Sequence, residues 1–301
     1  MYDHLMTTND VSLTHRFVQT NGVRLHVVEA GPADGPLVLL LHGFPEFWYG
    51  WRRQIDALAG AGFRVWVPDQ RGYNGSDKPV GVRPYSIDNL VADVVGLIDA
   101  AGVERATVVG HDWGAVVAWW LAATYPQRLD RLVCLNVPHH AVFSRVLRRN
   151  PRQMLRSWYA GFFQIPRLPE WLARLGNWWG MTRSLRRSSR PGTFSDEDLA
   201  RYRAAWSQPG PTGAPAFRTM VNWYRAFARH RPPRPAHERI TVPTLLIWGV
   251  QDAFLLPDMA QPSIDLCDKG RLVRFEQATH WVHLEEAEAV NRLLVEFIQQ
   301  A

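Results

Sequence analysis

VVGHDWGA, residues 108–115, is where the fold of this chain declares itself. A β-branched run ends, a short turn follows with a carboxylate at its apex, and the helical pattern AVVAWWLAA begins. Gly110 and Gly114 bracket Asp112. Only glycine or a similarly small residue lets the two arms of so sharp a turn approach each other. The pattern is that of a strand-turn-helix elbow that exposes its central side chain. The usual elbow presents serine; here it presents Asp112. An aspartate at the start of a helix can serve as a cap and no more, but its placement directly between two apolar elements favours a reactive group.

The elements on either side follow the same grammar. FVQTNGVRLHVVEAG reads as a hairpin with Asn21-Gly22 as its turn. PLVLLLHG, RVWVPD, ATVVGHD, RLVCLN, PTLLIWG and RLVRFEQ are short apolar runs, as expected for strands buried on both faces of a parallel sheet. Helical patterns lie between them at 48–59, 87–101 and 115–125, and at 288–300 after the last strand. Such alternation predicts a doubly wound α/β sheet. The rhythm stops after Pro138 and resumes at Thr241. Between them the chain is Trp- and Arg-rich with no strand pattern, punctuated by QPGPTGAPAF and closed by RPPRP. This predicts a core domain of residues 1–137 and 241–301, with an α-helical insertion at 138–240.

Composition bounds the function. Of 301 residues, 47% are hydrophobic and 21% charged, which excludes wholesale disorder. No run approaches the ~20 apolar residues of a membrane-spanning helix, so no membrane insertion is expected. MYDHLMTTND lacks a basic start and an apolar core, so it does not read as a secretory signal. Two cysteines, Cys134 and Cys267, do not suit a disulfide framework, and a cytoplasmic setting is the default expectation. Net charge is +6, but residues 138–240 hold 19 Arg, no Lys and 5 acids, while the remainder holds 15 basic and 23 acidic residues. No nucleic-acid module accompanies the arginines, so a nucleic-acid partner is not expected. The simpler expectation is a basic insertion facing a mildly acidic core.

Three further segments carry chemistry. In LHGFPEFWYGWRRQ, His-Gly ends a strand ahead of a helix, where such folds supply one half of an oxyanion hole. The two donors would be the backbone N–H groups of Phe44 and Trp113. In LLIWGVQDAF, Asp252 follows a buried strand at its carboxyl end, where open sheets bind ligands. In ATHWVHLEEAEAVN, His280 precedes the last helix. Each alone reads as structural. Together they give the chain order nucleophile, acid, histidine, with Asp112, Asp252 and His280 as a triad.

In order along nearly the whole chain, HGFPE, DQRGYNGSDKP, GHDWG, WGVQD and the terminal HW segment resemble motifs of the α/β-hydrolase fold epoxide hydrolases, of the soluble epoxide hydrolase type. SWYAGFFQ and VNWYRAF add Tyr159 and Tyr224, which resemble that family's paired lid tyrosines. Three positions depart from the family pattern: Thr279 replaces a small Gly before the histidine, Ala287 replaces a common Pro, and Ala115 follows GHDWG where Gly is also frequent. The resemblance implies a mostly parallel eight-stranded sheet carrying an α-helical cap. It also implies hydrolysis of an apolar epoxide to a vicinal diol through an Asp112 ester, with Tyr159 and Tyr224 activating the ring oxygen. No cofactor and no metal are called for, and His139, His140 and His283 are assigned to structure. Among the aromatics, Phe44, Trp113 and Trp158 are expected to line the substrate pocket, while Trp48, Trp51, Trp178, Trp179 and Trp223 read mainly as core. Tyr73 and Tyr85 also read as packing residues. Monomer and homodimer are both compatible with the sequence.

The nearest rival is a haloalkane or haloacid dehalogenase, which uses the same Asp-His-Asp chemistry. Phe44 stands where a haloalkane enzyme has a halide-binding Trp or Asn, and no Arg closely follows Asp112 to clamp a substrate carboxylate. A non-catalytic small-molecule binder on this fold would not need all three triad positions filled.

Overall fold

Eight strands form one sheet: β1 (Thr14–Thr20), β2 (Val23–Ala30), β3 (Leu37–Leu41), β4 (Arg64–Pro68), β5 (Ala106–His111), β6 (Leu129–Leu135), β7 (Thr244–Gly249) and β8 (Gly270–Phe275). The computed structural model describes residues 12–230 and 238–300. The spatial order is β1-β2-β4-β3-β5-β6-β7-β8. β1 and β2 pair antiparallel, as does β2 with β4, and every other pairing is parallel. The hairpin turns at Asn21 and Gly22, both with positive φ, which asparagine and glycine tolerate best. All five residues of β3 are buried, as are all six of β5 and of β7, matching their unbroken apolar runs.

Helices cover both faces. They are α1 (Ile55–Gly60), α2 (Ile87–Ala100), α3 (Trp113–Thr124), α4 (His140–Arg149), α5 (Pro151–Arg156), α6 (Trp158–Phe162), α7 (Leu168–Arg187), α8 (Asp196–Ser207), α9 (Ala216–Arg229), α10 (Ala260–Ile264), α11 (Val282–Glu285) and α12 (Ala287–Gln299). Ten of the twelve residues of α3 are buried, so it reads apolar all round. The pattern at 48–59 predicted one helix, but the chain makes a 3-10 turn over Trp48–Trp51 before α1. Two bonds hold that start down: Trp48 N–H donates to Asp69 Oδ1 at 2.9 Å, and Gly50 N–H to the Phe47 carbonyl at 2.9 Å.

The chain leaves the sheet after β6 and returns at β7, its hydrogen-bonded neighbour. Helices α4 to α9 fill the interval, and the RPPRP segment lies outside the described residues. α7 is broken at Leu175–Trp178, where Gly176, Asn177 and Trp178 all have positive φ. The broken turn places Trp178 in the core against Trp206 and Phe217. A few side chains seat these helices on the sheet. Trp206 Nε1 donates to the Pro45 carbonyl at 2.6 Å, Trp223 Nε1 to the Arg71 carbonyl at 3.0 Å, and Gln153 Nε2 to the Phe254 carbonyl at 2.8 Å.

The expected basic face toward an acidic core is met only in part. Arg190 pairs with Glu286 at 2.7 Å and Arg156 donates to the Asp252 carbonyl at 2.6 Å. Most of the arginines between 141 and 190 instead point to solvent. Asp and Glu are too sparse near them to draw them inward.

Candidate active site

β5 ends at His111, and the chain turns at Asp112 with φ 48° and ψ −122°. A non-glycine residue held there costs on the order of 1–3 kcal/mol, so the surroundings must enforce it. They do so by closeness. A Cβ on Gly110 would stand 2.5 Å from the Gly114 carbonyl carbon, and one on Gly114 would strike the Leu41 carbonyl of β3. The turn thus throws the Asp112 carboxylate beyond the carboxyl end of the sheet. Its Oδ1 accepts a hydrogen bond from the Phe44 N–H at 2.7 Å. The Trp113 N–H opens α3 and has no carbonyl one turn earlier to bond.

Asp112 Oδ2 faces His280 Nε2 at 3.5 Å, and His280 Nδ1 lies 2.7 Å from Asp252 Oδ2. The carboxylate can only accept, so Nδ1 carries the proton in that bond. Asp252 is itself fixed. Its Oδ1 accepts from the Phe254 and Leu255 N–H groups at 2.7 and 3.0 Å, and its Oδ2 accepts from Asn136 Nδ2 at 2.7 Å. Three residues drawn from the ends of β5, β7 and β8 therefore form one contiguous line.

The electrostatics follow from this geometry. Burial pushes His280 down, but Asp252 and Asp112 on either side overcome it and hold it up at about 10. For Asp112, burial works upward, and His280, His111 and the Phe44 amide outweigh it, so the carboxyl stays below its usual range. The folded protein therefore keeps a proton on His280 that the unfolded chain releases above 6.5. That contribution to stability is fully present below pH 6.5 and is lost as pH rises toward 10. Urea unfolding at steps across this window is expected to show the decline, with a flatter profile for His280→Gln. An equally steep profile in that variant would place the titrating group elsewhere.

Tyr159 on α6 and Tyr224 on α9 meet above the carboxylate, with ring centroids 5.9 Å apart at 79°. Tyr224 stands edge-on to Trp113 at 4.9 Å and to Phe44 at 5.3 Å. Burial raises both phenols above their usual 10, and Asp112 adds to the rise in each. Both therefore hold their protons at neutral pH.

Trp158 does not join them. It is 65% exposed and touches the Phe162 ring, whereas Trp113 is 8% exposed. Successive helical residues point about 100° apart, so a helix that turns Tyr159 inward turns Trp158 away. Trp51, Trp178 and Trp223 are core, and Trp48 is partly buried against it, while Trp179 is exposed. Tyr85 bonds the Pro79 carbonyl at 2.7 Å.

Sequence reading missed a layer beneath the histidine. His111 Nε2 lies 2.8 Å from the His280 carbonyl, and its Nδ1 lies 2.9 Å from Glu46 Oε2. Tyr202 donates to Glu46 Oε1 at 2.8 Å. Asn136, which steers Asp252, was also unremarked. Glu46 and His111 sit inside quoted motifs, so a buried carboxylate and histidine in those motifs were the available signal. Ligating atoms of Glu46, His111 and His283 lie within 4.8 Å of one another. A metal there would have to displace the protons that already join Glu46 to His111 and Tyr202. His139 accepts from the Ala141 N–H at the start of α4, and burial pushes His139 to about 3, and His140 and His283 to about 4.

A family model described as the alpha/beta hydrolase fold matches residues 36–287. The AB hydrolase superfamily protein YfhM of Bacillus subtilis is 45% identical over 94% of this chain and 97% of its own length. Epoxide hydrolase A of Mycobacterium tuberculosis is 36% identical, covering 95% of this chain and 97% of its own. A solved epoxide hydrolase of Bacillus megaterium, in complex with an inhibitor, superposes with a TM-score of 0.83 at 30% identity, covering 95% of this chain and all of the other.

Proposed function

This chain belongs to the α/β-hydrolase fold family and, within it, to the epoxide hydrolases, and from that premise we propose that it opens an apolar epoxide to a vicinal diol through a covalent ester of Asp112. The observation that carries the reading is the Asp112–His280–Asp252 line lying beneath two protonated phenols. The α-helical insertion acts as the cap that brings those phenols over the nucleophile.

Asp112 Oδ1 is tied to the Phe44 N–H, so Oδ2 is the free oxygen and attacks a ring carbon. The carbon–oxygen bond opposite breaks, and its electron pair goes to the departing oxygen. Tyr159 and Tyr224 donate hydrogen bonds to that oxygen, and one of them supplies its proton. Ester formation removes the negative charge from Asp112. One of the two anions that held the proton on His280 is then gone, and its basicity falls. His280 then loses its proton to solvent, and the phenolate regains one from solvent. The neutral imidazole takes a proton from water, and the water oxygen attacks Cγ of Asp112. Charge collects on Oδ1, where the Phe44 and Trp113 amides stabilise it; each such donor is typically worth ~10²–10³ in rate. On collapse the bond from Cγ to the diol oxygen breaks, and that oxygen takes the proton from His280. The acid left at Asp112 returns its own proton to the imidazole, which restores the carboxylate and frees the diol.

Single turnover of styrene oxide in ¹⁸O-water tests the route. The first diol is expected unlabelled, with the label in the Asp112 carboxylate. Label appearing directly in the diol would refute the ester. The phenols have their own test. Tyr159→Phe with Tyr224→Phe is expected to slow ester formation by about 10²–10⁴ in stopped-flow measurements. Full activity in that double variant, joined to chloride release from chloroalkanes, would point to a dehalogenase.

A further inference from the structure

Nine of the twelve exposed large apolar side chains among the described residues fall between positions 154 and 179. They belong to α5, α6, both sides of the break in α7 and the segment joining α6 to α7. Leu155 is 72% exposed, and Trp171 and Trp179 are each 61% exposed. Exposed apolar residues scattered singly need no explanation, but a concentration of this kind marks a contact surface. The same region is strongly basic. Residues 141–190 hold eleven arginines and a single acid, Glu170. Glu170 is already neutralised by Arg225 at 2.6 Å. Arg145, Arg148, Arg149, Arg152 and Arg174 are exposed and form no ion pair among the described residues.

We propose that this face of the helical insertion docks on an anionic lipid bilayer surface. Indole rings favour the boundary between headgroups and acyl chains, where an apolar body and a polar N–H are both satisfied. Arginine stems lie along apolar surface while their guanidinium groups reach outward to phosphates. Helices lying in that plane, apolar on one side and basic on the other, bind in proportion to buried apolar area and to lipid charge. Charge complementarity decides between occupants. Two copies meeting through this face would bring like charges together, whereas an anionic leaflet supplies the missing counter-charge. No helix among the described residues is long and apolar enough to cross a membrane, so the contact is one of surface docking. α6 carries Trp158 on this outer side and Tyr159 toward Asp112. If the proposed epoxide chemistry holds, an apolar substrate dissolved in lipid would meet the helix that covers the site.

Vesicle sedimentation with the whole protein reads docking independently of any catalysis. Wild-type protein is expected to sediment with vesicles containing about 30% phosphatidylglycerol. Binding should weaken about tenfold on pure phosphatidylcholine or in about 0.5 M salt. Leu155→Ser with Trp171→Ser and Trp179→Ser is expected to abolish binding while leaving turnover of a water-soluble epoxide unchanged. If that variant folds poorly, Arg148→Gln with Arg149→Gln should still reduce binding several-fold. Three results would overturn the proposal: no sedimentation of the wild type with anionic vesicles, undiminished binding by the variants, or a wild-type dimer that the triple variant dissociates without any vesicle binding. Loss of epoxide turnover alone would bear only on the catalytic reading.

Discussion

Asp112→Ala is expected to remove at least about 10⁴ of the turnover rate, since it removes the oxygen proposed to attack the epoxide. Of the two oxygens of Asp112, Oδ2 is the one free of the Phe44 amide and facing His280. The substitution removes nearby negative charge as well, so burial should then dominate His280 more strongly and draw its proton affinity below the wild-type level of about 10. Steady-state kinetics gives the rate, and NMR titration of the histidine gives the second reading. The positive φ at position 112 is no easier for alanine, so fold and thermal midpoint should be checked in the same preparation. Appreciable residual turnover in a folded variant would move the nucleophile to another residue.

His280→Gln separates the two half-reactions. On the proposed route, ester formation needs only a carboxylate and two phenols, so one equivalent of epoxide is expected to be consumed in a burst. Hydrolysis of the ester needs a base, so turnover should then stop, with a loss of about 10³ or more. Intact-mass measurement should find the protein heavier by one epoxide, and peptide mapping should place the adduct on Asp112. A variant that neither bursts nor turns over would show that His280 is needed before the ester forms. The three-part line makes the same point for Asp252. Substituting it leaves the histidine with one carboxylate neighbour, and the second half-reaction should suffer more than the first.

The strands and the elbow were legible because each rests on local chemistry. A buried parallel strand must be apolar on both faces, and β3, β5 and β7 announce this in five or six letters each. Gly110 and Gly114 announce the closeness of the elbow for the same reason. What was not legible depended on direction. Trp158 and Tyr159 are adjacent in sequence, and nothing in the letters says which of two neighbouring aromatics a short helix turns inward. The layer of Glu46, His111 and Tyr202 was hidden for a related reason. Its members lie far apart in the chain and only meet across the sheet and the insertion. The break in α7 was hidden too, since the positive φ of Asn177 and Trp178 goes with a tertiary contact, the seat of Trp178 beside Trp206 and Phe217.

The insertion springs from two strands that lie side by side, β6 and β7. Its whole span can therefore be cut out and replaced without disturbing strand order, much as a cassette is exchanged between fixed rails. Phe44, Asp112, Asp252 and His280 stay with the rails, whereas Tyr159 and Tyr224 travel with the cassette. A graft that preserves one tyrosine on each of two facing helices, together with the bonds to Pro45, Arg71 and Phe254, should keep the reaction while changing which molecules are admitted. Diversification of substrate range on this scaffold can thus proceed by recombination at two neighbouring seams.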